Sequence, residues 1–330
     1  MKAIVVNRYG GPEELKFQEF ETPQPQGGEV RVEMHAAGVN FADVYIRRGG
    51  GASYAAHPPF VAGREGAGVV ESLGESVSGV QIGDRVAYTG VMGAFAQFNC
   101  VPAQALIPLP DNFSWETGAS FPLQGMTAHY LLHEFRALKA GETVLVHAAA
   151  GGMGLLLCAW AKKLGMRVIG TVSTPEKAAR ATVAGADHIV FYNDEDFAPA
   201  VMKLTNGEGA HLIIDGAGKT TFKGDLECAA IRGNIVVFGG ASGPAGSLTP
   251  ADLMPRGLSL HSGTLALFTR TREELLMRSG AVLAGQREGW LDFSPAHVFA
   301  LEEAAQAFEL LESRGSSGKI GLKMPISNSG

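Results

Sequence analysis

The chain has 330 residues, 46% of them hydrophobic and 18% charged, which is enough to bury a full core and to form two domains. The formal net charge of -6 gives no general attraction to nucleic acid or to an anionic membrane, so we expect neither as a partner. Three widely spaced cysteines make neither a disulfide framework nor a structural zinc site, and residues 1–6 lack a secretory apolar region, so we expect a cytoplasmic protein.

Short alternating or β-branched runs dominate residues 1 to about 123. Examples are residues 30–34, 68–72 and 85–88, and Gly, Pro and Asp separate such runs. This rhythm predicts an all-β, barrel-like unit.

A different rhythm begins near residue 143, where strands alternate with segments of helical length. Six strands are predicted, at residues 143–148, 167–172, 188–192, 211–215, 234–239 and 259–264. Strands joined by helical connections predict a doubly wound parallel sheet.

The glycine turn, residues 147–154, lies between an apolar run and a helix-like run and carries the strongest local signal. Glycines there allow close backbone approach, and a helix start offers N–H groups to a pyrophosphate. Read as G-x-G-x-x-G, its first position is Ala149, followed by Gly151 and Gly154. Two other readings are an ordinary strand-to-helix turn and a membrane span over the uncharged residues 143–161. The glycine pair Gly151 and Gly152 argues against the span.

The end of the second predicted strand indicates which dinucleotide is bound. An NAD site usually has an Asp or Glu there to bind the ribose hydroxyls, and residues 169–174 contain no acid. Ser173, Thr174 and Lys177 are instead suited to a 2′-phosphate, so NADPH is the predicted coenzyme. The alternative for Lys177 is a solvated helix lysine.

Beyond the sixth predicted strand, residues 272–284 and 301–311 are helix-like and residues 319–323 predict a short strand. That strand needs a sheet, and the N-terminal β unit is the simplest partner. We therefore expect a discontinuous first domain, residues 1–123 and 265–330, and a nucleotide-binding domain at residues 124–264.

Several motifs, in this order, resemble the zinc-independent quinone oxidoreductase or ζ-crystallin branch of the medium-chain dehydrogenase/reductase superfamily. They lie at residues 10–13, 39–47, 63–68, 83–86, 124–128, 147–154 and 318–320. The resemblance covers nearly the whole chain and implies an α/β fold, with a doubly wound Rossmann NADPH-binding domain inserted in a GroES-like β-barrel catalytic domain. One departure is Ala159, where the branch usually has Gln.

Zinc-dependent alcohol dehydrogenases of the same superfamily have a Cys where this chain has Asn40 and a His where it has Arg64. They also commonly carry a four-cysteine lobe, for which this chain has no counterpart. Without thiolate or imidazole ligands a Lewis-acid zinc is not held, so no metal site is expected.

The resemblance also implies site residues. Asn40 and Tyr45 are expected to line the nicotinamide side and to be the catalytic candidates, with Tyr45 as a proton or hydrogen-bond donor. Their alternatives are a loop amide and an amphipathic packing residue, and Thr127 is either a coenzyme contact or a helix hydroxyl. The full set expected to contact the coenzyme is Asn40, Tyr45, Thr127, Ala150, Gly151, Gly152, Met153, Gly154, Gly170, Ser173, Thr174, Lys177, Tyr192, Phe238, Gly239, Gly240, Thr264, Leu265 and Lys319.

The implied activity is transfer of hydride or electrons from NADPH to a conjugated carbonyl acceptor, with a quinone preferred. Reduction of an enone or 2-alkenal double bond is the nearest alternative. A second alternative is a non-catalytic NADPH-binding protein of the crystallin or RNA-binding type. The family also pairs its sixth strand with that of a second copy, which implies a homodimer.

Overall fold

The computed structural model describes residues 1–50, 55–313 and 318–325. Its contacts divide the chain into two compact units. Of the described residues, the first unit contains those within Met1–Leu123, Thr271–Ser279 and Phe293–Gly330, and the second contains Gln124–Arg270 and Gly280–Asp292.

The strands are β1 Lys2–Val6, β2 Leu15–Glu19, β3 Glu29–Val39, β4 Phe60–Val61, β5 Glu65–Leu73, β6 Arg85–Thr89, β7 Phe98–Pro102, β8 Ile107–Pro108, β9 Thr143–Val146, β10 Arg167–Val172, β11 His188–Phe191, β12 Ala210–Asp215, β13 Ala229–Val237, β14 Ser259–His261, β15 His297–Ala300 and β16 Ile320–Lys323. The α-helices are α1 Phe41–Arg47, α2 Trp115–Gly118, α3 Pro122–His133, α4 Gly152–Lys163, α5 Pro175–Val183, α6 Phe197–Leu204, α7 Phe222–Cys228, α8 Pro250–Leu253, α9 Arg272–Arg287 and α10 Ala304–Glu312.

The first unit is built around the long strand β3. A seven-stranded sheet has the order β15-β16-β3-β5-β6-β8, with β7 also paired to β3, and β2-β1-β4 form a second sheet. Alternate residues of β3, such as Val30, Val32 and Met34, are buried in the main core of the unit because successive strand side chains point to opposite faces. Antiparallel pairing of β16 with β3 confirms that the C-terminal strand joins the N-terminal β unit.

The second unit contains a six-stranded parallel sheet of order β11-β10-β9-β12-β13-β14. This is the doubly wound order 3-2-1-4-5-6, and it confirms the predicted sheet and the α/β class. All four residues of β9 are buried, as expected for a central strand covered on both faces. The strand ends at Val146, two residues earlier than predicted, because Ala148 has a left-handed φ of 51° that leaves the strand conformation.

The second unit extends past residue 264, where the sequence predicts the return to the first domain. Phe268 stacks on Tyr130 with ring centroids 4.2 Å apart, and Trp290 meets Trp160 edge to face at 5.3 Å. These aromatic contacts hold Leu265–Leu267 and the residues after Ser279 to the second unit.

Residues 143–161 form β9, the glycine turn and most of α4. Across the described ranges, no helix combines the length and the apolar character needed to cross a membrane.

Candidate functional site

The glycine turn joins the end of β9 to the start of α4 in the second unit. Gly151 is the N-cap of α4 and has no side chain to bond the first helical N–H groups. The backbone N–H of Gly151 donates to the Ala148 carbonyl at 2.9 Å, and that of Leu155 donates to the Gly151 carbonyl at 2.9 Å. The backbone amides of Gly152, Met153 and Gly154 therefore form a helix start that no side chain caps, at the positive end of the helix dipole.

Packing within the turn requires glycine at Gly154. A Cβ placed there would lie 2.3 Å from the Ala148 carbonyl oxygen and 2.6 Å from the Ala149 backbone. Helix α4 therefore starts directly against the turn. This close approach matches the role of the last glycine in a dinucleotide fingerprint.

The first position of the fingerprint holds Ala149, and the structure shows what accommodates its methyl group. A Cβ built on Gly170 of β10 would lie 2.7 Å from the Ala149 Cβ. Gly170 thus leaves the space that the Ala149 methyl group fills. Gly170, predicted as a coenzyme contact, has this packing role.

The residues of the turn fit a dinucleotide pyrophosphate. Helix α4 has 12 residues, its N-cap is a glycine, and a Cβ on Gly151 would meet only the Ala148 carbonyl oxygen, at 3.3 Å. Uncapped N–H groups at a long helix start, with open space beside them, form an anion-binding surface.

The ends of β10 and β11 bring four of the predicted residues together. Thr174 is the N-cap of α5, and its Oγ1 accepts from the backbone N–H of Lys177 at 3.3 Å. The backbone N–H of Tyr192 donates to the Val172 carbonyl at 3.2 Å, and Asn193 Nδ2 donates to the Ser173 carbonyl at 3.2 Å. Tyr192 is 48% exposed, which leaves its ring available for stacking.

An acid that the sequence reasoning did not weigh lies in the first turn of α5. Glu176 is exposed, and its pKa is lowered by its own backbone N–H and by the Thr174 hydroxyl. The carboxylate is thus ionised beside Lys177 at the same helix start. A 2′-phosphate bound there is close to both the Lys177 ammonium and the Glu176 carboxylate.

The loops after β12 and β13 are tied together by hydrogen bonds. The N–H of Ala241 donates to the Gly216 carbonyl at 3.0 Å, and that of Ser242 donates to the Ala217 carbonyl at 2.9 Å. A Cβ on Gly216 would lie 2.9 Å from the Phe238 ring, so that ring covers the first loop. The predicted residues Phe238, Gly239 and Gly240 therefore belong to a two-loop surface.

The remaining predicted residues of the second unit lie on α3 and after β14. Thr127 is buried on α3, and one turn later Tyr130 donates its hydroxyl to the Gly263 carbonyl at 3.2 Å. This bond attaches the segment carrying Thr264 and Leu265 to α3. Leu265 is buried and Thr264 is exposed.

In the first unit, Asn40, Glu65 and Lys319 form a buried polar cluster. Lys319 Nζ donates to Asn40 Oδ1 and to Glu65 Oε2, both at 2.6 Å, and Asn40 Nδ2 donates to Glu65 Oε2 at 2.8 Å. Glu65 is fully buried, and its Oε1 accepts from the backbone N–H of Leu123 at 2.6 Å. Gly38 permits this approach, because a Cβ there would lie 2.4 Å from Glu65 Oε2.

The cluster fixes the start of α1, the helix that carries Tyr45. Asn40 is its N-cap residue, and the Asn40 backbone N–H donates to Asp43 Oδ2 at 2.9 Å. Burial raises the pKa of Asp43 to about 7, against the lowering effects of the Asn40 N–H and of Lys319. Tyr45 lies one helical turn after Phe41 on α1; it is half-buried, and its ring centroid is 6.4 Å from that of Phe41. Sequence reasoning missed Glu65 and Asp43, although both lie inside motifs it used.

Arg64 stands where the zinc-dependent alcohol dehydrogenases have a His, and its Nη2 donates to the Gly90 carbonyl at 3.0 Å. Elsewhere, His35 stacks on Trp115 at 4.4 Å and His129 on His133 at 4.3 Å. In the part of the chain that the structure describes, no three His, Cys, Asp or Glu side chains are grouped to hold a metal ion.

Comparison with known proteins supplies the family. Residues 26–111 match the alcohol dehydrogenase GroES-like domain, and residues 152–278 match the zinc-binding dehydrogenase family. A quinone oxidoreductase of Pseudomonas aeruginosa is 40% identical over 324 residues, which are 97% of this chain and 99% of that protein. This chain belongs to the quinone oxidoreductases of the medium-chain dehydrogenase/reductase superfamily. The predicted combination of a GroES-like domain with a Rossmann domain is confirmed.

Three other relatives are similar to this quinone oxidoreductase family member over nearly their whole length. A 2-haloacrylate reductase of Burkholderia is 38% identical over 97% of this chain and 98% of that protein. The structure of Escherichia coli quinone oxidoreductase complexed with NADPH has a TM-score of 0.93 and 35% identity, covering 98% of this chain and all of that one. A mycobacterial protein complexed with NADPH gives a TM-score of 0.93 at 40% identity, with coverage of 98% and 100%.

Proposed function

We propose that this protein is a zinc-independent, NADPH-dependent quinone reductase. The observation that carries the proposal is the glycine turn, with its uncapped amides at the start of a 12-residue helix, in a chain whose nearly full-length relatives include quinone oxidoreductases. Relatives solved with NADPH support the choice of coenzyme.

Residues of the second unit hold the coenzyme in this proposal. Residues 150–154 bind the pyrophosphate through backbone amides. Ser173, Thr174 and Lys177 bind the 2′-phosphate, and Tyr192 packs on the adenosine end. The remaining contacts come from Thr127 and from the strand-end residues Phe238, Gly239, Gly240, Thr264 and Leu265, while Gly170 supports the turn by packing against Ala149.

Asn40, Tyr45 and Lys319 act at the nicotinamide end. Bound NADPH supplies a hydride to the conjugated carbonyl acceptor. Oxygen that gains negative charge is stabilised by preorganised donors, and the Lys319 ammonium, whose charge is balanced by Glu65 and whose position is fixed by Glu65 and Asn40, serves as such a hydrogen-bond donor. The Tyr45 hydroxyl donates a hydrogen bond or a proton, and Asn40 orients the ammonium.

Steady-state oxidation of NADPH tests the activity. With 1,2-naphthoquinone, 1,4-benzoquinone, a 2-alkenal and 2-chloroacrylate as acceptors, we expect the highest kcat/KM with a quinone. The 2-haloacrylate reductase relative makes double-bond reduction the second candidate. A higher kcat/KM with the alkenal or the haloacrylate than with both quinones contradicts the proposal.

The same assay separates catalysis from coenzyme binding alone. Tight NADPH binding without oxidation of NADPH by any acceptor in the panel supports a non-catalytic, crystallin-type role instead.

We further propose a cytoplasmic homodimer that pairs β14 with its counterpart in a second copy. Strand β14 ends the six-stranded sheet, and Leu260 in it is 37% exposed.

A further inference from the structure

A buried polar network lies beneath the glycine turn and is not used by the proposed function. His147 follows β9, Thr171 lies on β10, Asp215 ends β12 and Asp225 lies on α7. All four side chains are buried, and Asp215 and Asp225 are completely inaccessible to solvent. The network therefore connects four elements of the second unit under the proposed phosphate site.

The hydrogen bonds form one directional chain. The Ala148 backbone N–H donates to Thr171 Oγ1 at 3.3 Å. Thr171 Oγ1 lies 3.1 Å from His147 Nδ1, and His147 Nε2 lies 2.8 Å from Asp225 Oδ1. His147 Nε2 donates to Asp225 Oδ1 whether the ring is neutral or protonated; a neutral ring accepts the Thr171 hydroxyl hydrogen at Nδ1, and a protonated ring donates from Nδ1 to Thr171 Oγ1. Burial lowers the pKa of His147, but Asp225 and Asp215 raise it overall.

The chain holds a strained part of the turn. Ala148 has a φ of 51°, in the left-handed region that residues with a Cβ rarely adopt. Its backbone N–H is fixed by the Thr171 hydroxyl, and the N–H of Ala149 donates to the Thr171 carbonyl at 3.0 Å. The position of the uncapped amides that follow depends on these two bonds.

Asp215 extends the network to the two-loop surface. Its Oδ1 accepts from the backbone N–H of Ala217 at 2.7 Å, and its Oδ2 accepts from Thr221 Oγ1 at 2.8 Å. These bonds fix the loop that Phe238 covers. One buried cluster therefore joins the phosphate turn to the loops after β12 and β13.

One atom of the cluster lacks a partner. Asp225 Oδ2 is buried without a hydrogen bond in the described part of the chain. An unpaired carboxylate oxygen in the protein interior is costly, and a second carboxylate beside it increases the cost. A proton on Oδ2, donated to Asp215, removes both penalties.

The raised pKa of Asp225 favours a protonated carboxyl below about pH 6. Burial raises it to about 6, against the lowering effect of His147, and the neighbouring Asp215 raises it further. The titratable groups that face Asp225 are His147, Asp215 and the Cys228 thiol on its own helix. From α6, the Phe197 ring meets the His147 ring edge to face at 4.8 Å.

We propose that Asp225 is a positioning residue for NADPH: as a neutral carboxyl bonded to Asp215, it fixes His147 and Thr171 and thereby the turn that receives the pyrophosphate. This inference rests on the proposed placement of the coenzyme at the glycine turn. Loss of the proton sets two buried carboxylates against each other and weakens NADPH binding. Coenzyme affinity therefore falls as the pH rises.

The matched variant is Asp225→Asn, which keeps the shape and has an amide donor toward Asp215 and an oxygen acceptor for His147 at every pH. We expect the ratio of the NADPH dissociation constants, wild type over variant, to rise at least about threefold between pH 5 and pH 8. A factor of three corresponds to a change of about half a unit in the Asp225 pKa on binding. Titration of the NADPH 2′-phosphate affects both proteins and cancels in the ratio.

Fluorescence titration with NADPH, with thermal unfolding at each pH as a check on folding, provides the measurement. Asp225→Ala removes both hydrogen bonds, and we expect at least about tenfold weaker binding at pH 6. A ratio that stays constant from pH 5 to pH 8, or binding by Asp225→Asn that is more than tenfold weaker than wild type at pH 6, overturns the proposal.

The placement of the coenzyme is tested separately with Gly151→Val. A side chain there occupies the space beside the uncapped amides, so NADPH binding should be lost at every pH. If Gly151→Val binds NADPH normally, the pyrophosphate lies elsewhere and the proposed site is wrong. If Gly151→Val loses binding while the wild-type to Asp225→Asn ratio stays constant, only the role of Asp225 is wrong.

Discussion

Lys177 is the residue whose charge selects the coenzyme in our proposal. Lys177→Ala removes a charge-assisted contact to the 2′-phosphate, worth roughly 1.5 to 3 kcal/mol, so the KM for NADPH should rise roughly 10- to 150-fold. The KM for NADH should remain nearly unchanged. Glu176→Gln is the matched control at the same helix start, and removal of its negative charge should lower the KM for NADPH. Equal effects of Lys177→Ala on both coenzymes show that Lys177 does not contact the 2′-phosphate.

The Ala149 methyl group fills the space that a side chain at Gly170 would otherwise occupy. Gly170→Ala places a Cβ 2.7 Å from the Ala149 Cβ, and such overpacking should lower the free energy of unfolding by about 1–3 kcal/mol. The double variant Ala149→Gly with Gly170→Ala should recover most of this loss. Urea unfolding of the two single variants and the double variant measures the coupling. An additive double variant shows that the two positions are independent.

The Asn40 cluster joins three elements, because Lys319 precedes β16, Glu65 begins β5 and Asn40 caps α1. Lys319→Met leaves the fully buried Glu65 without its cation, which should cost about 3–5 kcal/mol of unfolding free energy. Adding Glu65→Gln to this variant removes the buried charge and should restore part of the stability. Chemical denaturation measures both effects. A double variant less stable than Lys319→Met argues that Glu65 acts through its bond to the Leu123 amide instead.

The N-terminus of α1 should respond to pH through Asp43. Below about pH 4 its carboxyl is protonated in the folded and unfolded states, since the ordinary pKa is 3.8. Between pH 4 and 7 only the folded state retains the proton, so the stability contribution present at low pH is lost as the pH rises through about 7. The slope from one such group is at most about 1.4 kcal/mol per pH unit.

Asp43→Asn replaces the titrating carboxyl with an amide and keeps an oxygen that accepts the Asn40 N–H. Denaturation midpoints from pH 4 to 8 should therefore fall less steeply in the variant than in the wild type. Parallel curves for the two proteins show that Asp43 does not titrate in this range.

At the scale of the whole molecule, the exposed edge of β14 is the surface that we expect to join two copies. Leu260→Asp places a charge on that strand and should shift the protein from dimer to monomer in sedimentation analysis, with little change in far-ultraviolet circular dichroism. Val183→Asp is a matched control, since Val183 is 91% exposed on α5 and lies outside the proposed interface. A Leu260→Asp variant that sediments like the wild type contradicts the proposed pairing.

The parallel sheet was predictable from sequence because its buried strands are continuous apolar runs, as in β9, separated by helical segments of regular length. The role of β16 was predictable because an isolated strand requires a sheet. The partners of Asn40 were not, since Lys319 lies 279 residues away and no local pattern encodes such a contact. The same holds for His147 and Asp225, which are 78 residues apart. The second unit extends beyond the predicted boundary at residue 265, because aromatic packing, which strand rhythm does not reveal, holds the following segment.

The pairing of β16 with β3 has a consequence for biosynthesis. Strand β3 ends at Val39, whereas its partner starts at Ile320, so the sheet of the first unit stays incomplete until β16 has been synthesised. The second unit has all its residues by Asp292 and is available to fold earlier on the ribosome. A nascent chain released before Lys319 thus contains every residue of the second unit, while its Asn40 and Glu65 lack the Lys319 ammonium.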